Sequence, residues 1–176
     1  MLFRSPVDQV PADTMVHLLR RLLAERPVGP PAASGAAEGL SLVLGTCFSN
    51  YGLISPEREA GHLQAVVAER IRSGRRVLYV PHPRSRASLL DLDHWPAERR
   101  DARLEQWRPP GGSPAELLAL SCRINEVISP GSSALITLRD WFSIPAWLSV
   151  DEHFEDFGGR SPEIRLLHSL VSSRCW

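Results

Sequence analysis

The chain has 176 residues, of which 43% are hydrophobic and 23% are charged, a composition typical of a globular protein of about one domain. The Lys+Arg and Asp+Glu counts are equal at 20 each, which argues against a general nucleic-acid-binding protein, because such proteins usually carry a basic stripe. No apolar run is long enough for a transmembrane helix, and charged residues interrupt the N-terminus before a signal peptide develops. The three cysteines have no metal-ligand spacing and predict buried thiols. We therefore expect a cytoplasmic protein.

The first part of the chain predicts one helix and a linker. Apolar side chains are spaced for one face of a helix over residues 12–26, and residues 27–39 consist almost wholly of Pro, Ala, Gly and Ser. We therefore divide the chain into residues 1–39, the N-terminal helix and linker, and residues 40–176, one ordered domain.

The ordered domain begins with a strand, a helix and a second strand. Residues 40–45 form a short apolar run that ends in glycine, and residues 77–80 form a second run. Between them, Ser55, Pro56 and an early acid predict the start of a helix that extends to about residue 71. Strands that are apolar on both faces indicate an α/β fold with a Rossmann-like parallel sheet and helices on both faces.

The second half of the domain is less regular. The polar, proline-rich segment over residues 84–113 predicts a long loop, which in a compact domain usually has a function. The remaining pattern predicts a short helix, a brief third strand, a helix, a short fourth strand and a last helix, over residues 114–122, 126–128, 132–141, 145–148 and 163–172, respectively.

The first candidate site directly follows the second strand, where ligands bind in parallel α/β sheets. Two prolines flank His82 in the sequence Pro81-His82-Pro83-Arg84 and fix the backbone around it. An imidazole held in this way, beside Arg84, is suited to donate hydrogen bonds to a phosphate. The alternative is a rigid turn whose histidine is merely exposed.

The second candidate site follows the third predicted strand. In the sequence Ser129-Pro130-Gly131-Ser132-Ser133, the glycine allows a ligand to approach the backbone closely. The serine hydroxyls and the free N–H groups of the following helix favour an anion. The alternative is that Ser132 is an ordinary N-cap. Both candidate sites are expected at the same edge of the sheet.

In this order and on these elements, the motifs resemble those of the bacterial polysialyltransferases and the related lipooligosaccharide sialyltransferases. The resemblance covers roughly residues 40–150, and the motifs that carry it are Leu42-Val-Leu-Gly45, Ile54-Ser-Pro-Glu57, Tyr79-Val-Pro-His-Pro-Arg84 and Glu126-Val-Ile-Ser-Pro-Gly-Ser-Ser-Ala-Leu135.

The resemblance implies the C-terminal, donor-binding half of a GT-B glycosyltransferase. It implies inverting transfer of sialic acid from the nucleotide sugar CMP-sialic acid to a glycan acceptor, as in capsule polysaccharide synthesis, with no metal and no other cofactor. His82 would be catalytic, and a protonated imidazole would stabilise the departing phosphate. The predicted phosphate-binding residues are His82, Pro83, Arg84, Gly131, Ser132 and Ser133.

One departure from the family pattern concerns the general base. The family carries it in a paired-acid motif of an N-terminal acceptor domain, and the only similar string is Ala37-Glu38-Gly39, which has one acid and is too close to His82. We therefore expect the acceptor domain to be absent from this chain. A partner chain is one way in which that domain would be supplied. Peripheral membrane association stays open, as do two other functions: another GT-B nucleotide-sugar glycosyltransferase, or a non-catalytic nucleotide-binding remnant.

The remaining polar and aromatic groups are interpreted structurally. Glu126 is expected to end a strand rather than contact a ribose. Three histidines are expected at the surface or core edge, three aromatic residues in the core, and an acidic segment in a solvated loop rather than a metal site. These are His17, His62 and His168; Trp141, Phe142 and Trp147; and Asp151, Glu152, His153, Glu155 and Asp156.

Overall fold

The computed structural model describes residues 11–25, 39–85, 91–96, 101–109 and 113–149. The predicted last helix, the acidic segment and nearly all of the predicted linker lie outside these ranges. In chain order the regular elements are α1 (Ala12–Glu25), β1 (Leu40–Leu44), α2 (Pro56–Arg72), β2 (Val77–Val80), β3 (Leu104–Gln106), α3 (Leu118–Ser121), β4 (Ile124–Ser129), α4 (Ala134–Phe142) and β5 (Ala146–Leu148).

The five strands form one parallel sheet in the order β3-β2-β1-β4-β5. The central strand β1 pairs with β2 on one side and with β4 on the other, so that Leu42 lies beside both Leu78 and Val127. All five residues of β1 and all four of β2 are buried, as expected for strands covered on both faces.

Helices cover both faces of the sheet. Successive side chains of a strand point to opposite faces, so each strand contributes side chains to both layers of the core. In β1, Val43 packs with the inner side of α2, whereas Leu42 packs with α3 and α4. Helix α1 lies farther out and packs through Leu19 against Leu117 and the end of α4. The predicted Rossmann-like α/β fold is confirmed. No helix in the described part of the chain is long and apolar enough to cross a membrane.

Helix α2 begins and ends as its sequence predicts. The hydroxyl of Ser55 accepts a hydrogen bond from the backbone N–H of Arg58 at 3.3 Å, and Pro56 occupies the first turn. At the other end, Gly74 has a φ of +80°, a left-handed conformation that favours glycine and turns the chain into β2.

The prediction of one long loop over residues 84–113 is wrong in one part. Residues 104–106 form β3, a parallel edge strand whose Leu104 lies beside Val77. The sequence Leu-Glu-Gln gives no continuous apolar run, because an edge strand of three half-buried residues needs none.

Trp147 is also placed differently from the prediction: it lies on edge strand β5 and is 50% exposed, while Trp141 and Phe142 pack against the core.

Helix α4 ends at a strained residue. Ser143, its C-cap, has a φ of 55°, and its N–H donates to the carbonyl of Arg139 at 2.9 Å. This left-handed geometry normally favours glycine, because a Cβ atom is crowded there. Ser73, the C-cap of α2, has an ordinary φ of −75°.

We expect the substitution Ser143→Gly to stabilise the protein by about 0.5–1 kcal/mol, because it removes the Cβ crowding at a positive φ. The matched control is Ser73→Gly, which has no such strain to release and loses the hydrogen bond from its hydroxyl to the carbonyl of Glu69. Urea unfolding of both variants measures the difference. A loss of stability in Ser143→Gly would contradict the prediction.

Candidate functional site

The sheet order defines where a ligand site should form. The chain moves from β1 to β2 and β3 on one side, and then returns through β4 to the other side of β1. In open parallel sheets, ligands bind at the carboxyl ends of the strands where the order reverses in this way. The loops at that edge include residues 45–51 after β1, residues 81–85 after β2 and residues 130–133 after β4.

The loop after β2 holds His82 in one orientation. The backbone N–H of Arg84 donates to His82 Nδ1 at 3.1 Å, and the N–H of Ser85 donates to the carbonyl of His82 at 2.9 Å. Because Nδ1 accepts a hydrogen bond, the proton of the neutral ring is on Nε2. Nε2 lies 3.8 Å from Cys47 Sγ, in the loop after β1.

The electrostatics of His82 favour the neutral ring. Burial lowers the pKa of His82 below its ordinary 6.5, and the positive charge of Arg84 lowers it further, while Glu59 acts weakly in the opposite direction. The lowered pKa disfavours the protonated imidazole that is expected from the sequence. Neutral His82 still offers one N–H donor at Nε2.

The loop after β4 is organised by Ser129, whose side chain is buried. Its hydroxyl accepts hydrogen bonds from the N–H groups of Gly131 at 3.3 Å and Ser132 at 3.1 Å. The Ser132 hydroxyl accepts from the N–H of Ala134 at 3.3 Å and can still donate its own proton outwards. Helix α4 begins at Ala134, two residues later than predicted, and Ser133 makes no side-chain cap hydrogen bond.

The loop after β1 links the two motifs. Cys47 contacts His82, and the ring of Phe48 covers Gly131, where a Cβ atom would lie 2.6 Å from Phe48 Cζ. Glycine is therefore required at position 131 to accommodate the ring. Strands β2 and β4 are two strand spacings apart, about 10 Å. The two motifs thus lie at the same edge of the sheet, on either side of Cys47 and Phe48.

A buried carboxylate fixes this linking loop. Glu59 is fully buried at the start of α2 and accepts hydrogen bonds from the N–H groups of Phe48 at 3.0 Å and Ser49 at 2.9 Å, and one from the hydroxyl of Thr46. Three donors satisfy a charge that would otherwise be costly to bury. Glu59 therefore determines where Cys47 and Phe48 lie.

The helical spacing of α2 contains a signal for the buried position of Glu59. The inner side of α2 carries Leu63, Val66 and Val67, and Glu59 lies one turn before Leu63 on the same face. A carboxylate at an inward helical position needs several donors, and the polar loop after β1 is the nearest source. Its exact donors depend on how that loop folds back, which the helical spacing does not show.

An open cavity of about 510 Å³ lies beside the His-Pro motif. Among the described residues, its lining comes from the ends of two loops, namely Asn50, Tyr51, Pro83, Arg84 and Ser85. None of the described lining residues belongs to the loop after β4. Pro83 and Arg84 therefore line a space formed with the loop after β1.

The other residues considered in the sequence have structural partners or lie outside the described ranges. Glu126 accepts a hydrogen bond from Ser41 at 2.6 Å and lies 3.7 Å from Arg70, so it is engaged within the sheet and α2. His62 contacts Ser149 at 3.0 Å. Cys47 and Cys122 are buried free thiols, and burial raises the pKa of each. Within the described residues, no three His, Cys, Asp or Glu side chains are placed to hold a metal ion.

The fold is a Rossmann-like parallel α/β sheet with the His-Pro and serine motifs at its carboxyl edge. The sequence profile of the family Alpha-2,8-polysialyltransferase matches residues 24–151, most of the chain. The protein belongs to this family and is therefore a sialyltransferase-like member of the glycosyltransferases. No curated protein and no solved structure matches the chain.

Glu59→Gln is expected to destabilise the protein by at least about 2 kcal/mol. The side-chain amide of glutamine has one donor in place of an acceptor, so at least one of the three donors that now bind Glu59 would lose its partner. The control is Glu57→Gln on the exposed side of the same helix, which should change stability by less than about 0.5 kcal/mol. Urea unfolding measures both. Equal stabilities for the two variants would contradict the role given to Glu59.

The lowered pKa of His82 predicts a pH-dependent contribution to stability. Because the unfolded chain binds the proton more readily, the folded state loses stability as the pH falls below 6.5. As the pH falls from 7 to about 5, the wild type should therefore lose stability relative to His82→Ala. Urea midpoints across this range measure the relative stability, with exposed His17→Ala as the control. A gain of the wild type relative to His82→Ala would contradict the prediction.

Proposed function

We propose that this chain binds the cytidine monophosphate part of CMP-sialic acid at the carboxyl edge of its sheet, as the donor site of a sialyltransferase. The phosphate would lie between the loops after β2 and β4, above Cys47 and Phe48. His82 Nε2 would donate from one side. The hydroxyls of Ser132 and Ser133 would donate from the other side, together with the first N–H groups of α4.

The observation that carries this proposal is the continuous contact from His82 through Cys47 and Phe48 to Gly131. It brings two motifs, 50 residues apart in the chain, to one edge with a common floor formed by Cys47 and Phe48. The family membership supplies the ligand class, since polysialyltransferases transfer sialic acid from its CMP-activated form.

The arrangement suits a reaction in which a phosphate departs. As the glycosidic bond of the donor breaks, its bonding electrons move to the phosphate oxygen, which gains negative charge. Neutral donors and a helix N-terminus then stabilise the departing group more strongly than the ground state. A neutral His82 contributes one hydrogen bond without first having to bind a proton.

Calorimetric titration with CMP tests the donor site. We expect wild-type binding to weaken roughly tenfold or more in His82→Ala and in Ser132→Ala, because each variant removes one hydrogen bond to a charged group. His17→Ala, exposed on α1, and Ser73→Ala, at the opposite edge of the sheet, are the matched controls and should bind like the wild type.

Two results would contradict the donor site. One is the absence of CMP binding by the folded wild-type protein. The other is binding that is equally strong in His82→Ala, Ser132→Ala and the two controls, because it would show that the nucleotide binds elsewhere.

A further inference from the structure

The cavity beside the His-Pro motif has walls from two separate loops. Asn50 and Tyr51 come from the loop after β1, and Pro83, Arg84 and Ser85 come from the loop after β2. Its volume of about 510 Å³ lies within the range of small-molecule sites and is large enough for a monosaccharide. The cavity is adjacent to His82, so a ligand held at His82 can extend into it.

The backbone of Arg84 is fixed at both ends of the residue. Its N–H donates to His82 Nδ1 at 3.1 Å, and its carbonyl accepts a hydrogen bond from the Asn50 side-chain amide. The second bond also joins the two walls of the cavity. Loops tied in this way are preorganised, which lowers the entropic cost of binding a ligand between them.

The guanidinium of Arg84, in contrast, has no salt bridge or side-chain hydrogen bond with any described residue. A fixed backbone with an unpaired guanidinium at a cavity wall is suited to a planar anion, because the guanidinium fork matches a carboxylate.

One further side chain suits a sugar ring beside that anion. Tyr51 is 62% exposed, an unusual position for a large aromatic ring, and offers a flat apolar surface. Ser85 also lines the cavity, although its hydroxyl is enclosed and has no hydrogen-bond partner. A site with one cation and one aromatic face fits an acidic sugar.

Three parts of the donor compete for this cavity. The cytosine base is neutral and would leave the guanidinium unpaired. The phosphate is predicted to contact Arg84 as well as His82, but in the proposed donor site it already receives donors from His82 Nε2, from Ser132 and Ser133 and from the start of α4. The sugar carboxylate is the remaining anion of CMP-sialic acid, and it is attached to a ring that can pack on Tyr51.

From these contacts we infer that the cavity formed by Asn50, Tyr51, Pro83, Arg84 and Ser85 binds the carboxylated sugar of the donor, with the Arg84 guanidinium paired to the sugar carboxylate. This inference rests on the proposed donor-binding function. It assigns the selection of an acidic sugar to Arg84, while the phosphate is held by His82 and the serines.

The test compares two ligands, CMP and CMP-sialic acid, by calorimetry. Wild type should bind CMP-sialic acid more tightly than CMP. Arg84→Gln should weaken CMP-sialic acid binding roughly tenfold while CMP binding stays within about twofold, because only the sugar carries the carboxylate. Tyr51→Ala should show the same selectivity with a smaller loss. Arg72→Gln, exposed at the opposite edge of the sheet, is the matched control and should change neither affinity.

Each other outcome has a distinct meaning. Equal weakening of both ligands in Arg84→Gln would place Arg84 at the phosphate and overturn the inference, while the donor site stands. Unchanged binding of both ligands in Arg84→Gln, or wild-type affinities that do not differ between CMP and CMP-sialic acid, would also overturn it. Absence of CMP binding by wild type would instead refute the donor site itself. Since Arg84 is exposed, the variant should unfold at the wild-type temperature, which confirms that it is folded.

Discussion

The buried carboxylate of Glu59 is the interaction on which the candidate site depends. It gathers two backbone N–H groups and one hydroxyl from the segment between Thr46 and Ser49, directly after the central strand. A charge in a closed interior is tolerated only when its hydrogen-bonding capacity is satisfied, so this segment has little freedom to move without exposing an unpaired group. The same segment supplies the contacts to His82 and to Gly131. One ionised group in the core therefore sets the relative positions of two motifs that belong to different strands.

The hydrogen bonds of His82 also change how the site is expected to work. From the sequence, we expect a positive imidazole to oppose the charge of the departing phosphate. Here the ring accepts a backbone hydrogen bond at Nδ1, and burial together with Arg84 lowers its pKa. In the donor site that we propose, neutral donors arranged in advance and the helix terminus would stabilise the phosphate. Arg84, whose charge contributes to this lowering of the pKa, donates its backbone N–H to Nδ1.

Much of the fold could be predicted from the sequence, because its central strands are buried on both faces. Runs such as residues 40–44 and 77–80 are apolar throughout, and caps such as Ser55 and Gly74 mark the helix between them. Strand β3 could not be predicted, since a half-buried edge strand of three residues has neither an apolar run nor alternation. The edge location of His82 and the serines followed from the strand order. The role of Glu59 did not, because it depends on a loop that folds back onto a helix, and local periodicity contains no information about that contact.

The central position of β1 has a consequence for how this chain acquires its structure during synthesis. Ser41 and its hydrogen-bond partner Glu126 are 85 positions apart, and β1 joins β4 along most of its length. Joining them requires closure of a large loop, which lowers the folding rate. While the ribosome is still producing the intervening residues, β1 and β2 can pair, but one side of β1 has no neighbouring strand. Until β4 leaves the exit tunnel, that side is an edge with unpaired backbone N–H and C=O groups, which is the kind of surface that promotes aggregation.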